Sequence, residues 1–197
     1  MLGMFPLLLR AQDPPTYTFG TTVVDSSGLE GHVYAIKRWK SSFPKVNKKE
    51  LLSTIYAHTL NITPRRFDTG FPGTDRIEWF AIQYTGRFWI EHDGDYSFTL
   101  LSDDGSKLFI DEKLVIDNDG IHPPLAVTGS ATLTRGIHHM RVDYFQGPRF
   151  DVALVLSVTP PGGQTKLFDT QDFRPPLDTT ELTPGKISNI RTGRNRY

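Results

Sequence analysis

The stretch that decides the fold is residues 94–119, GDYSFTLLSDDGSKLFIDEKLVIDND. Apolar and polar residues alternate over 96–100, and a second alternating run follows at 108–110. A period of two is typical of strands with one buried face. Asp104-Gly105 between the two runs is a favoured two-residue turn, because glycine takes positive φ without steric cost. The stretch therefore predicts a β-hairpin with a solvated tip.

The predicted tip carries a second carboxylate, Asp103, directly before Asp104. Neighbouring side chains on an extended chain point to opposite faces, yet here two like charges lie at one tip. A second acidic run at 117–119 has the residue types that favour turns through hydrogen bonds to their own backbone. We therefore interpret 117–119 as a turn and residues 102–106 as the candidate binding site.

The same stretch, with EKLVIDNDG at 112–120 and GIHHMRVDYFQG at 136–147, carries a family resemblance. It resembles the PA-14 lectin-like domain family, named after the 14-kilodalton fragment of protective antigen, over residues 28–158. Several spaced elements agree, which makes the resemblance more specific than one short motif. It implies an all-β, antiparallel β-sandwich, a jelly-roll-like lectin fold, with irregular N- and C-terminal extensions. Such domains occur in toxins, glycosidases, glycosyltransferases and adhesins, so the fold alone does not choose a function.

The resemblance also implies a ligand site. In sugar-binding fungal adhesins with this domain, paired aspartates hold a calcium ion through a cis peptide bond, and the ion takes two sugar hydroxyls. The matching residues here are Asp103 and Asp104, as metal ligands and carbohydrate-binding residues. The adhesins add an asparagine from a loop where this chain has Gln146 and Arg149 as further candidates. Gln146 offers an amide oxygen, whereas Arg149 would take the cation's place by pairing with the aspartates. A calcium site and a metal-free acidic turn are thus the alternatives.

Composition limits the class of protein. The chain has 197 residues, equal numbers of acidic and basic side chains, and no cysteine. A net charge of zero gives no global field that would attract nucleic acid, and the absence of cysteine excludes disulfides and thiolate metal sites. The length fits one domain with appendages. We expect an N-terminal extension at 1–25, the β-sandwich at 26–160, and a C-terminal extension with a basic tail at 161–197.

The terminal segments suggest export and assembly. Residues 1–12, MLGMFPLLLRAQ, are too short to span a bilayer, and they resemble the end of a secretory signal. We therefore expect an extracellular or cell-surface location. Residues 17–24 have the composition of an edge strand, and either flank could pair within its own domain or form a homo-oligomer by strand exchange.

The rest of the chain predicts further strands. Residues 29–39 predict the first, 130–133 and 137–145 predict two more, and the nearly continuous apolar run 151–158 predicts a central one. Residues 40–73 predict a long irregular connection. The aromatic run 76–91 predicts two strands separated near Thr85-Gly86. We interpret four of its aromatic side chains as core packing rather than sugar stacking: Trp79, Phe80, Phe88 and Trp89.

The sequence contains no sign of catalysis. Vicinal aspartates on a turn do not supply an acid and a nucleophile on opposite sides of a bond, and no nucleophile-elbow, zinc-protease or phosphate-loop motif occurs. Adjacent His138 and His139 should face opposite ways on a strand. The prediction is a non-catalytic carbohydrate-binding or adhesion module that recognises a glycan. The alternatives are a structural or assembly domain that lost its sugar site, and an accessory domain of a glycan-active enzyme.

Overall fold

The computed structural model describes residues 28–66, 71, 74–148, 151–177, 180 and 182–193. These residues form one turn of 3-10 helix, Lys48–Glu50, and the strands β1 (Leu29–Ala35), β2 (Leu51–Ala57), β3 (Asn61–Arg66), β4 (Phe80–Ile90), β5 (Gly94–Asp103), β6 (Ser106–Ile110), β7 (Lys113–Asn118), β8 (Leu125–Leu133), β9 (Gly136–Gln146), β10 (Asp151–Thr159), β11 (Lys166–Leu167) and β12 (Ile187–Arg191). Within these ranges, no helix is long and apolar enough to cross a membrane.

The strands form two antiparallel sheets. One has the order β2-β1-β4-β9-β6-β7, and the other has the order β11-β10-β5-β8-β12, with β3 also paired to β10. The alternating apolar residues of both sheets form one buried core, which includes Phe80, Phe98, Val142 and Leu154. This architecture confirms the prediction of an all-β antiparallel sandwich. It also confirms β10 as a central strand, since β5 lies on one side of it and β3 and β11 on the other.

The predicted hairpin around residues 103–105 is wrong. β5 pairs with β8 and β10 in one sheet, whereas β6 pairs with β7 and β9 in the other. The chain therefore crosses from sheet to sheet between Asp103 and Ser106. Both edges of β5 are already hydrogen-bonded, so β6 cannot pair with it despite following it in sequence. The tip that the sequence predicted to be solvated is instead buried.

The aromatic run forms one strand rather than two. β4 continues through Thr85 and Gly86, which pair with Arg141 and Met140 of β9. A Cβ on Gly86 would lie 2.6 Å from Leu29 Cδ2, so this glycine allows close packing rather than a break. The large aromatic residues of the run are buried, which confirms their interpretation as core: Trp79, Phe80, Phe88 and Trp89.

Two expected loops contain strands. Residues 40–73, predicted as an irregular connection, contribute β2 and β3, and Pro64 is accommodated where the register of β3 against β10 shifts. Beyond residue 160, β11 and β12 extend the second sheet. Phe168 and Phe173 stack with ring centroids 5.0 Å apart, and the Trp89 N–H donates to the Phe173 carbonyl, so this segment docks on the sandwich. Residues 17–24 lie outside the described residues, and strand exchange stays a prediction.

Candidate functional site

The paired aspartates lie where the chain leaves β5 and crosses to the other sheet. Asp103 is 6% exposed and Asp104 is 3% exposed. The peptide bond between them is cis, the isomer that the family resemblance implied. Two adjacent residues at the crossing thus carry carboxylates that are almost removed from solvent.

Two loops bind the Asp104 carboxylate through their backbones. Its Oδ1 accepts a hydrogen bond from the His122 N–H (3.1 Å), and its Oδ2 accepts one from the Gly147 N–H (2.7 Å). A Cβ on Gly147 would lie 3.1 Å from Asp104 Oδ2, so a larger residue would crowd the carboxylate. Asp104 thus connects the loop after β7 to the loop after β9.

Asp103 is held through its backbone by Tyr144 of β9. The Tyr144 hydroxyl lies 2.8 Å from the Asp103 carbonyl oxygen and 2.6 Å from Gln146 Oε1, so its one hydrogen is shared between two acceptors. The Gln146 amide nitrogen donates to the carbonyls of Pro148 and Asp151. Gln146 is buried, so its side chain does not face solvent. Its hydrogen bonds instead shape the loop that holds Asp104.

A buried polar network lies directly behind the crossing. The Ser102 and Ser106 hydroxyls are 2.7 Å apart, and the Asn118 amide donates to Ser102 Oγ (3.0 Å) and to the Leu125 carbonyl (2.9 Å). These contacts join β5, β6, β7 and the start of β8. The sequence analysis missed Asn118, which lies inside the run interpreted as a turn. A buried amide that satisfies one acceptor on each of two other strands fixes the crossing from within.

Gly105 permits the crossing to pack tightly. A Cβ at this position would lie 2.3 Å from Phe145 Cε1 and 2.7 Å from the Gly120 nitrogen. The Gly105 carbonyl also accepts a hydrogen bond from the Phe145 N–H (2.9 Å). Glycine is therefore required here by the close approach of a ring and of a neighbouring backbone.

The second acidic run spans the end of β7 and the residue that follows it. Asp117 Oδ1 accepts from the Asp119 N–H, and Asp119 Oδ1 accepts from the Gly120 N–H. Lys107 Nζ lies 2.7 Å from Asp119 Oδ2 and 4.0 Å from Asp117 Oδ1. The same Asp119 accepts the Phe43 N–H at 2.8 Å. Its charges are thus neutralised locally. The interpretation of 117–119 as a turn is wrong for Asp117 and Asn118, because both pair with β6 as the last residues of β7.

The aspartate pair lacks such neutralisation. Among the described residues, no lysine or arginine forms an ion pair with Asp103 or Asp104. Burial, and then the charges of Asp104 and Asp151, raise the pKa of Asp103 to about 7, against opposing effects of His122 and Gln146. Burial also raises the pKa of Asp104, although its two backbone hydrogen bonds oppose the rise. Asp103, Asp104 and the two loops that bind Asp104, together called the acidic recess, therefore form a negatively charged site of the kind that a cation would stabilise.

The donors at this recess fit calcium. Calcium takes six to eight oxygen ligands from carboxylates, carbonyls, water and hydroxyls. In the part of the chain that the structure describes, no group of three histidine, aspartate or glutamate side chains is arranged to hold a metal ion. A calcium ion at Asp103 and Asp104 would therefore complete its shell with backbone carbonyls, water or ligand hydroxyls. Arg149 lies outside the described residues, and its role stays a prediction.

A separate titratable pair lies at the other end of β9. His138 is buried, with Nδ1 2.7 Å from Asp111 Oδ2 and Nε2 2.9 Å from the Thr134 carbonyl, while His139 is exposed, as predicted. Burial lowers the pKa of His138, but the bonds to Asp111 and Thr134 outweigh it and raise the pKa above its ordinary value. Burial raises the pKa of Asp111, and its bonds to His138 and His139 outweigh it and lower that pKa. This pair stabilises the fold.

Comparison with known structures agrees with this architecture. The PA14 domain of the antifreeze protein MpAFP aligns with 95% of this chain and 100% of its own, at 21% identity and a TM-score of 0.63. A PA14 sugar-binding domain from an RTX adhesin aligns with 73% of this chain and 96% of its own, at 22% identity and a TM-score of 0.60. An anti-sigma factor domain-containing protein aligns with 77% of this chain, at 16% identity and a TM-score of 0.59, and this chain spans 49% of its length. At these identities the likeness shows the fold alone.

The two sheets, joined by an acidic crossing at one end, define a β-sandwich domain with a candidate site between its sheets. A model of the PA14 domain matches residues 25–172, and the chain belongs to the PA14 domain family. Among curated proteins, no sequence matches it.

Proposed function

We propose that this chain is a non-catalytic carbohydrate-binding module of an exported or cell-surface protein, with its ligand site at Asp103 and Asp104. The observation that carries the proposal is the pair of adjacent, buried carboxylates that no described lysine or arginine neutralises. Burying charge without a partner is costly, so such a pair favours binding of a cation. The sugar-binding PA14 domain of the RTX adhesin, which shares the fold, supports glycan as the ligand class.

Each residue of the recess has a distinct role in this proposal. Asp103 and Asp104 hold calcium, which when bound presents coordination positions to vicinal sugar hydroxyls. The backbone N–H groups of His122 and Gly147 orient Asp104. Gln146 is a positioning residue, because its amide holds the loop that contains Gly147. Arg149 would weaken calcium binding if its guanidinium pairs with the aspartates.

A second candidate is an assembly domain in which the recess binds no ligand. It is favoured by the two backbone hydrogen bonds to Asp104, which give this carboxylate a role in connecting two loops without any cation. The two candidates differ in what the aspartates do in solution. Only the first requires that calcium and glycan bind at the same place.

Calorimetric titration with calcium, followed by a glycan array with and without a chelator, tests the proposal. We expect the wild-type protein to bind calcium and a set of glycans, and we expect the chelator to abolish glycan binding. Asp104→Ala should lose both activities, whereas Asp75→Ala, at an exposed aspartate, should lose neither. Equal calcium binding by wild type and Asp104→Ala would refute the metal site. Folded wild type that binds neither calcium nor glycan would favour the assembly domain.

A further inference from the structure

Trp39 is exposed in a way that the core does not explain. Its side chain is 84% exposed, whereas the other two tryptophans, Trp79 and Trp89, are 5% and 3% exposed. The sequence analysis placed Trp39 at the end of the first strand, but β1 ends at Ala35 and Trp39 lies in the following turn. A large aromatic face directed at solvent is a feature of ligand-binding surfaces.

Trp39 lies beside the loop that binds Asp104. Its ring centroid is 6.0 Å from that of Trp79, and the rings are tilted by 50°. The Trp79 N–H donates to the Gly147 carbonyl at 3.2 Å, and the Gly147 N–H donates to Asp104 Oδ2. Trp39 is therefore connected to Asp104 through the ring and backbone of Trp79 and the backbone of Gly147.

The segment that follows Trp39 returns to the other side of the same recess. The Phe43 N–H donates to Asp119 Oδ1, and Asp119 lies three residues before His122, whose N–H binds Asp104 Oδ1. Residues 39–43 thus run between the two loops that hold Asp104. Four residue steps span at most about 14 Å, so this segment forms one rim of the recess.

The backbone holds both tryptophans in an uncommon conformation. Trp39 has φ of 68° and Trp79 has φ of 57°, in the left-handed region that bulky residues rarely adopt. The side chains of Arg38 and Glu78 join the two turns through a contact of 3.2 Å. Such conformations persist where the surrounding structure fixes them, and they concentrate at ligand sites. The exposed indole thus packs on a buried tryptophan, in a turn that an adjacent ion pair joins to the turn of Trp79.

We propose that the exposed face of Trp39 is a stacking platform for the pyranose ring whose hydroxyls bind at Asp103 and Asp104. The inference rests on the proposed function and adds the chemistry that would select among sugars. A pyranose with several C–H groups on one face can stack on the indole while its vicinal hydroxyls point into the recess. Ile121, also exposed, borders Gly147 from the loop after β7 and adds apolar surface to the rim. The preferred ligand is thus a hexopyranose with an apolar face and an adjacent vicinal diol.

The test combines two substitutions of Trp39 with the fluorescence of the wild-type tryptophan itself. Because Trp39 is the exposed tryptophan of three, iodide should quench mainly its fluorescence. In the presence of calcium, methyl galactoside and methyl mannoside are titrated into wild type, Trp39→Ala and Trp39→Phe. We expect binding of the preferred sugar to protect wild type from quenching, Trp39→Ala to bind about tenfold more weakly, and Trp39→Phe to retain part of the affinity. Calcium affinity should not change in either variant.

Leu52→Ala, at an exposed residue of the edge strand β2, is the matched control and should bind sugar as wild type does. If wild type binds sugar while Trp39→Ala binds it equally and sugar gives no protection from iodide, the stacking role is refuted and the proposed function stands. If wild type binds neither these sugars nor any glycan of the array, the proposed function fails and the inference fails with it. An unchanged calcium affinity in Trp39→Ala excludes misfolding as the cause of weaker sugar binding.

Discussion

Replacing Asp103 by asparagine should stabilise the calcium-free protein at alkaline pH. Burial and the neighbouring charges raise the pKa of Asp103 from its ordinary 3.8 to about 7 in the folded chain. The folded state therefore holds a proton that the unfolded state releases. This contribution to stability is fully present below pH 3.8 and is lost as the pH rises towards 7. Above pH 7 the wild type carries a buried charge at Asp103. The Asp103→Asn variant does not carry this charge, and its side chain has nearly the same shape.

The size of the effect follows from that difference in pKa. A rise of about three pH units corresponds to roughly 4 kcal/mol, which is an upper bound because the surroundings relax. We expect Asp103→Asn to be more stable than wild type by about 2–4 kcal/mol at pH 8 in chelator. For a chain of this length, that corresponds to a Tm higher by about 10 °C. Near pH 4 the two proteins should unfold together.

Thermal unfolding at pH 4 and pH 8 in chelator is the assay, with Asp75→Asn as the control for loss of an exposed charge. Calcium at pH 8 should then stabilise wild type and leave Asp103→Asn unchanged, because the cation compensates the charge that the variant lacks. A variant that is equally destabilised at both pH values would refute the reasoning, because it would show that Asp103 contributes shape and hydrogen bonding rather than buried charge.

Three further predictions follow from other parts of the molecule. Asp111→Asn should lower the free energy of unfolding by about 2 kcal/mol at pH 5–6, and the deficit should shrink as pH rises through the raised pKa of His138, because the neutral ring gains less from the carboxylate. Gly105→Ala should cost about 3 kcal/mol and weaken calcium binding, because its Cβ would overlap a ring and a neighbouring backbone. Arg149→Asn should raise calcium affinity by removing a competing guanidinium.

Chemical denaturation measures the first two, and calorimetry measures the third. His139→Gln, at the exposed neighbour, should show no comparable pH dependence, and Gly163→Ala, whose Cβ would meet its nearest neighbour at 3.3 Å, should unfold close to wild type. A pH-independent deficit in Asp111→Asn, wild-type stability in Gly105→Ala, or an unchanged calcium affinity in Arg149→Asn would contradict the respective prediction.

Local pattern predicted most strands but not their partners. The alternation that marks β5 and β6 depends on each strand's own residues, so it is visible in the sequence. Their assignment to different sheets depends on β8 and β10, which occupy both edges of β5, and no local signal carries that information. β3 was missed because Pro64 predicts a break that the structure accommodates at a register shift. β2 was missed because it is a largely exposed edge strand without a buried, alternating apolar face.

The site was predictable in part. The adjacent carboxylates and the family resemblance indicated Asp103 and Asp104, because their type and spacing are unusual. The groups that hold Asp104 are backbone N–H donors of His122 and Gly147, which every non-proline residue possesses, so sequence alone could not identify them. The sequence offered no reason to consider Trp39, because a single exposed tryptophan has no periodicity and its packing on Trp79 depends on the fold.

The buried network of Ser102, Ser106 and Asn118 separates the stability of the crossing from the choice of ligand. Natural selection or a protein engineer could therefore change one without the other. This network fixes the crossing from inside the sandwich, and the surrounding loops bind Asp104 only through backbone N–H groups. The side chains that surround the recess can therefore be exchanged while the backbone that holds its acidic centre stays the same. Residues 39–43 and Ile121 are then the positions at which a combinatorial library should be built. Such a library would diversify ligand choice, while the amide of Asn118 keeps every member on the same scaffold.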